Sequence, residues 1–229
     1  MKRGEKMIID QLTIGIKSSY DDFEANVKER KIGSPKKKTI KDTVPYSNVT
    51  HDFSKIDGEL YWEERTLEYI FEIDADTPEE LEEKKIDFKT WVMNVFEDEL
   101  HDPFIEGFHF IATFADIDFD DSEIEKTTAT VTFSAYPFML SNAKIAYEFA
   151  ISTASEKVFV VVNNSSHRIA PTLIASVPVT IVIGNTMYSI NAGETKIDSL
   201  KLEMGANEIT IKPASSNGTL KVEYFKEVF

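Results

Sequence analysis

The four histidines are the side chains best suited to bind a metal or transfer a proton, because imidazole does both near neutral pH. They are His51, His101, His109 and His167. Their spacing matches neither the His-Glu-x-x-His pattern of helical zinc sites nor another common ligand pattern. His109 alternates with Phe108 and Phe110, which is typical of one side of a strand. The sequence therefore predicts neither a metal site nor a bound cofactor.

Residues 116–121 read Asp-Ile-Asp-Phe-Asp-Asp and resemble the start of a calcium-binding loop. The sixth position is Asp121 where such loops have glycine, and the twelfth is Thr127 where they have glutamate. Ile117 and Phe119 alternate with the acidic residues, so a strand that ends in a turn is favoured over a calcium loop.

Motifs of catalysis are also missing from the sequence. There is no Gly-x-Ser-x-Gly elbow, no phosphate-binding loop and no dinucleotide-binding glycine pattern. The absence of cysteine excludes disulfides, thiolate nucleophiles and thiolate-bound metals. Carboxylates are abundant, but an acid-using hydrolase needs two of them at a set separation in a cleft. We therefore predict that the protein is not an enzyme.

The charge of the chain is strongly uneven. The formal net charge is −15, and residues 59–125 hold 23 acidic against four basic side chains. Residues 1–58 hold 12 basic and nine acidic side chains. An acidic field of this strength repels phosphates, so sequence-specific nucleic-acid binding is disfavoured. We refer to residues 59–125 as the acidic segment.

The basic run Lys36, Lys37 and Lys38 follows the breaker Gly33-Ser34-Pro35 and is predicted to form an exposed hairpin or loop. It is interpreted as a solvated loop tip, as a contact for phosphates, or as an arm that meets the acidic segment of a neighbouring copy. Trp62, beside Tyr61, is assigned to the core or to an interface. Lys36–Lys38 and Trp62 are the candidate partner-binding residues.

The elements that position these residues are mainly strands. A helix is predicted over about 78–96, because Thr77 suits the N-cap, Pro78 the first turn and Glu80 the capping box. Alternating apolar residues predict strands at 8–16, 67–73 and 108–114, with a less distinct edge strand around 25–29. Residues 127–135 are predicted to form a strand because they are rich in β-branched side chains. No apolar run is long enough to span a membrane, and no signal peptide is evident.

The last 88 residues are predicted to form a β-sandwich, because short strands recur between turns. These strands are placed at 144–151, 157–162, 172–176, 179–183, 186–190, 207–212 and 219–225. A boundary near Ser141-Asn142 gives domains at 1–141 and 142–229. The predicted fold class is therefore mainly β with one helix in the first domain, followed by a C-terminal β-sandwich.

Four segments of the chain resemble the distal tail proteins of long, non-contractile-tailed phages that infect Gram-positive bacteria. The resembling segments are residues 44–54 followed by 64–73, the helix at 77–96, residues 129–139, and residues 205–211 with the Asn217-Gly218 turn. Each motif has low specificity, but their order and the total length agree with that family over nearly the whole chain.

The resemblance implies a structural protein of the virion tail, assembled in the host cytoplasm. Its belt domain would join six copies into a hub ring around the tail channel. A galectin-like or carbohydrate-module-like sandwich would dock other baseplate or adhesion proteins. The partners of the whole protein would be the major tail protein, a tail-associated fibre or lysin, and adhesion or receptor-binding proteins. The family has no catalytic residues. Lys36–Lys38 fall where the family tends to have an arm that reaches a neighbour, and a channel lined by the acidic segment would let DNA slide.

The alternative is a carbohydrate- or cell-surface-binding β-sandwich module that functions without a ring. Such a module needs an exposed aromatic platform. The C-terminal part has no tryptophan, so Tyr147, Tyr188 and Tyr224 are the candidate platform residues.

Overall fold

Alternation of buried and exposed residues produces the sheet of the first half of the chain. The computed structural model describes residues 11–43, 50–55, 58–120 and 122–229. The chain comprises two units, Met1–Met139 with Phe229, and Leu140–Val228. The predicted strand start at 8–10, part of the first resembling segment (44–49) and Asp121 lie outside the described residues. His51 lies in a described strand, but its side chain is not described.

The first unit holds nine strands and the one α-helix of the described residues. They are β1 (Thr13–Ile14), β2 (Lys17–Ser18), β3 (Ala25–Ile32), β4 (Lys41–Thr43), β5 (Thr50–Asp52), β6 (Arg65–Asp74), α1 (Pro78–Met93), β7 (Asp98–His101), β8 (Phe108–Asp120) and β9 (Lys126–Ala135). Within its sheet the neighbours follow the order β3, β6, β9, β8, β7, β1, β2, and the pairs are antiparallel. β4 and β5 form a separate ribbon.

The core of the first unit lies between this sheet and α1. Tyr69 and Phe71 of β6 are fully buried, and so is Phe88 of α1, whose ring centroid lies 5.0 Å from that of Phe71. Trp91 of α1 stacks on Phe23 at 4.6 Å and packs against this core while remaining partly exposed. Burial of these rings is the main stabilising contribution to the unit.

The helix begins where the sequence predicts. Thr77 has an extended backbone, and its hydroxyl accepts a hydrogen bond from the amide of Glu80 at 3.2 Å. The helix ends at Met93, three residues before the predicted end, because the side-chain amide of Asn94 donates to the Thr90 carbonyl at 2.6 Å. Phe96, which the predicted helix includes, then lies exposed beyond the end of the helix.

The second unit is a β-sandwich. Its strands are β10 (Met139–Ile151), β11 (Lys157–Asn163), β12 (Thr172–Ala175), β13 (Val179–Ile183), β14 (Thr186–Ile190), β15 (Gly193–Lys196), β16 (Gly205–Ile211) and β17 (Gly218–Val228). One sheet has the order β15, β12, β17, β10, and the other has the order β11, β16, β13, β14. Val161, Ile181, Ile209 and Val222 are fully buried in its core. The predicted sandwich is therefore present, and β15 is a strand that the sequence analysis missed.

Among the described residues, no helix is both long enough and apolar enough to cross a membrane.

Candidate functional site

The basic run belongs to an extended ribbon that leaves the sheet of the first unit after β3 and returns before β6. Lys37 forms an antiparallel bridge with Trp62. The amide of Glu63 donates to the Lys36 carbonyl at 2.7 Å, and the amide of Lys38 donates to the Tyr61 carbonyl at 2.9 Å. The three lysines therefore form one edge of a paired ribbon and are not a free loop tip. We call residues 33–64 the basic arm after this run of lysines, although six carboxylates further along give the whole arm no net positive charge and its last six residues also belong to the acidic segment.

The basic arm is fixed to the sheet at its base. The amide of Gly33 donates to the Thr66 carbonyl at 2.8 Å, and Nε of Arg65 donates to the Gly33 carbonyl at 2.8 Å. A Cβ atom at position 33 would lie 2.7 Å from the Thr66 carbonyl oxygen, so only glycine fits. Glycine in the breaker Gly33-Ser34-Pro35 is thus required by a close backbone approach.

The ladder of the basic arm continues outward. The amide of Phe53 donates to the Ile40 carbonyl at 2.8 Å, and β4 pairs with β5 in the register Lys41 to Asp52. Four large apolar side chains along the arm are exposed to solvent: Ile40, Phe53, Leu60 and Tyr61. Exposed apolar groups beside a basic run are typical of an interaction surface.

Trp62 joins the basic run to an aromatic cluster of the first unit. The ammonium of Lys37 lies 5.7 Å from the centroid of its ring, within cation–π range. Phe138 packs edge-on at 6.5 Å, and Phe229, which belongs to this unit, lies at 4.6 Å. The half-buried Trp62 and the exposed Lys37 are therefore the two predicted partner-binding residues that the structure brings into direct contact.

The acidic segment presents a row of carboxylates on β8. Asp116, Asp118 and Asp120 are exposed on one side of the strand, while Ile117 and Phe119 are half-buried on the other. The interpretation of residues 116–120 as a strand is therefore confirmed. Among the described residues, this row does not bring three ligand atoms together as a metal site would.

Lysines neutralise only part of this segment. The ammonium of Lys84 lies 2.6 Å from a carboxylate oxygen of Glu24 and 3.0 Å from one of Glu80. Its hydrogen bond to Glu24 raises the pKa of Lys84 despite partial burial. With four basic against 23 acidic side chains, the segment retains a large negative surplus.

Two of the four histidines meet a glutamate on β7 and β8. Glu99, His101 and His109 each place one ligand atom within 4.8 Å of the other two. The spacing of the histidines carries no metal signature, because their contact depends on the register of two strands. A usable signal was Gly107, whose φ is 80° and which lies in the connection of residues 102–107 between β7 and β8.

The tyrosines proposed for a sugar platform do not form an exposed surface. Tyr224 is buried, its hydroxyl donates to the Val162 carbonyl, and burial together with Tyr147 raises its pKa to about 12. The Tyr147 hydroxyl also donates to the Val162 carbonyl, at 3.3 Å. Tyr188 lies half-buried with its hydroxyl on the Ser199 carbonyl. Sugar binding by stacking on these rings is therefore disfavoured.

Comparison with known proteins connects this architecture to phage tails. No family model and no curated protein matches the sequence. Among solved structures, the fold matches that of the SPP1 Dit protein, described as a paradigm of the hub adsorption apparatus of phages infecting Gram-positive bacteria. The TM-score is 0.69 and the sequence identity 12%, over 96% of this chain and 100% of that one.

Chains of the phage P2 baseplate in its activated conformation, solved with Ca or with Sr, also match. Their TM-scores are 0.41 and 0.42 at 8% identity, over 94% of this chain and 98% of theirs. The match to SPP1 Dit confirms the predicted fold class and the predicted resemblance to distal tail hub proteins. At 12% identity, the shared feature is the fold.

Proposed function

We propose that this chain is a structural hub protein of a phage or prophage tail tip. The observation that supports this proposal is the fold match to SPP1 Dit, which spans both units of this chain and the whole of that one. The protein is carried in the virion tail after assembly in the cytoplasm of the bacterial host, and it has no enzymatic role. The SPP1 Dit protein is described as a paradigm of the hub adsorption apparatus of phages infecting Gram-positive bacteria.

Six copies form a closed ring in this proposal, with the basic arm of one copy lying against the acidic segment of the next. Head-to-tail contacts between unlike surfaces generate a closed ring when the rotation from copy to copy divides a full turn evenly. The exposed Lys36–Lys38 and the exposed apolar residues Ile40 and Leu60 supply charge and contact area on one side. The carboxylates of Asp116, Asp118 and Asp120, or those on α1, supply the complementary charge.

The remaining acidic surface faces the tail channel. Phosphates are repelled by such a surface, so DNA passes without adhering. The second unit and the outer parts of the ring dock the major tail protein, a tail-associated fibre or lysin, and adhesion or receptor-binding proteins. The proposal includes neither sequence-specific nucleic-acid binding nor membrane binding.

The test is light scattering on a gel-filtration peak, at low and at high salt. The proposal predicts a mass near 156 kDa, six times the 26.0 kDa of one chain, at low salt. Salt screens exposed charge pairs over about 10 Å at 0.1 M, so the assembly is expected to weaken as salt rises.

Two charge-reversal variants sharpen this test. The first replaces Lys36, Lys37 and Lys38 by Glu, and the control replaces the second-unit lysines Lys157, Lys196 and Lys201 by Glu. Both change the formal charge by six, so a general effect of net charge would act on both. Loss of the assembly in the first variant alone supports the proposed arm. Equal behaviour of the two variants contradicts it.

A further inference from the structure

The cluster of Glu99, His101 and His109 is built by the pairing of two strands. Leu100 pairs with Phe110 in the antiparallel β7–β8 ladder, and the next step of this register sets His101 opposite His109. Directly opposed side chains on one face of an antiparallel pair are close neighbours. Glu99 lies on the same face as His101, two residues before it.

The distances suit a single small cation. Nε2 of His101 lies 3.4 Å from one carboxylate oxygen of Glu99, and Nε2 of His109 lies 4.0 Å from the other. The centroids of the two imidazole rings are 5.1 Å apart. In a tetrahedral zinc site, bonds of about 2.0–2.2 Å set neighbouring ligand atoms roughly 3.3–3.5 Å apart. A side-chain shift of about 1 Å therefore closes the cluster around an ion.

Burial divides the three ligands into one fixed and two adaptable groups. His109 is 3% exposed and is held within the sheet, whereas the side chains of His101 and Glu99 are 35% and 57% exposed. The exposed pair can adjust its rotamers at low cost and leaves the site open to solvent. The backbone of β7 is itself fixed, because the Gly15 amide donates to the Glu99 carbonyl at 2.9 Å.

We propose that Glu99, His101 and His109 bind one divalent transition-metal ion of the zinc class. Two imidazoles and one carboxylate favour zinc, cobalt or nickel over calcium or magnesium, which prefer all-oxygen sites. Three protein ligands leave a fourth position to water or to a further donor. The ion links β7 to β8 and stabilises the first unit, and this inference does not depend on ring formation.

The test is titration of the metal-free, tag-free full chain with Zn²⁺ by calorimetry, and with Co²⁺ by visible absorption. Because the chain has no cysteine, no thiolate competes for the probe ions. His101→Gln and Glu99→Gln are the informative variants, since both side chains are partly exposed and are expected to fold. The matched control is His167→Gln. It removes a histidine of the second unit whose Nε2 lies 3.0 Å from a carboxylate oxygen of Glu227.

We expect one saturable site in the natural chain, together with tetrahedral Co²⁺ absorption. Loss of a supporting group around a metal ligand already weakens binding by about 10–100-fold, so His101→Gln and Glu99→Gln should each weaken Zn²⁺ binding at least tenfold. His167→Gln should leave the affinity unchanged. Zn²⁺ should also raise the thermal midpoint of the first unit in the unsubstituted chain and in His167→Gln, but not in His101→Gln or Glu99→Gln. Absence of saturable binding, or unchanged affinity in both cluster variants, would overturn the proposal.

Discussion

Asp102 is a buried charge of the first unit that accepts three hydrogen bonds. Its side chain is fully buried, and one carboxylate oxygen accepts hydrogen bonds from Nη1 of Arg30 at 2.6 Å and from the Phe104 amide at 2.8 Å. The other oxygen accepts a hydrogen bond from the Tyr69 hydroxyl at 2.9 Å. Burial and the neighbouring carboxylate raise the pKa of Tyr69, so the phenol stays protonated and donates to Asp102.

Replacing Asp102 by Ala should destabilise the first unit by about 3–5 kcal/mol, the cost of breaking a buried charge pair. Part of this cost, about 1–3 kcal/mol, is the Tyr69 hydroxyl, which is left without a partner in the core. The remaining destabilisation arises because Arg30 and the Phe104 amide also lose their hydrogen-bond acceptor. Arg30 is one-third exposed and can regain water, which limits its share.

A second substitution separates these contributions. Tyr69→Phe alone should cost about 1–2 kcal/mol, because Asp102 keeps its other two donors. In the double variant Asp102→Ala with Tyr69→Phe, no unpartnered hydroxyl remains in the core. Its loss in free energy of unfolding should therefore be smaller than the sum of the two single losses by roughly 1–2 kcal/mol. Asp118→Ala, on an exposed carboxylate of β8, is the control and should change stability by less than about 0.5 kcal/mol.

The assay is urea unfolding followed by tryptophan fluorescence. Both tryptophans, Trp62 and Trp91, lie in the first unit, so the signal reports the unfolding of that unit alone. A cost below about 1 kcal/mol for Asp102→Ala, or strict additivity with Tyr69→Phe, would refute the reasoning.

Three further substitutions test other parts of the structure. Glu72 lies in the first unit, where burial raises its pKa, but hydrogen bonds from Lys126 and Lys28 outweigh this effect and lower the pKa below 4.5. The ionised Glu72 side chain therefore stabilises the first unit above pH 4.5, and this stabilisation is lost as the pH falls through the lowered pKa. Glu72→Gln should lower the free energy of unfolding by about 1 kcal/mol at pH 7 and should have no effect in strong acid. Urea unfolding at each pH measures both values. Thr77→Ala removes the helix cap and should cost about 1 kcal/mol in the same fluorescence assay. Asn207→Ala should destabilise the second unit by about 1–3 kcal/mol, measured by far-ultraviolet circular dichroism, because its buried amide bonds the backbone of residues 203 and 205.

Controls for these three variants are available in the chain. Asp118→Asn, on an exposed carboxylate of β8, is the control for Glu72→Gln and should leave the acid dependence unchanged. The control for Thr77→Ala is Ser122→Ala. The backbone amide of Ser122, and not its hydroxyl, donates to Asp120, so this substitution should destabilise the first unit less than Thr77→Ala does. Asn207→Ala should leave the unfolding followed by tryptophan fluorescence unchanged, because that signal reports the first unit. A lower stability in that signal would contradict the assignment of its effect to the second unit.

Local chemistry made much of the fold predictable. The alternation in β6 and the Thr77-Pro78 start of α1 act within a few residues, so the sequence alone indicates them. β15, with the sequence Gly-Glu-Thr-Lys, has no apolar alternation and exists only because β12 supplies its hydrogen bonds. The end of α1 depends on the side chain of Asn94, which competes with the helical pattern of the residues that follow.

The candidate sites were less accessible to sequence reasoning, because they depend on pairing between distant residues. Lys37 and Trp62 are 25 positions apart and meet through the ladder of the basic arm. His101 and His109 meet through the register of β7 and β8. Neither contact follows from residue type or from spacing, although composition correctly indicated the surplus of acidic charge.

Electron microscopy of the purified full chain at low salt tests the central claim most directly. The proposed hub predicts class averages of a ring with six-fold symmetry and an open central channel. A single particle of 26.0 kDa, or an assembly of another symmetry without a channel, would contradict the proposal that this chain forms a tail hub.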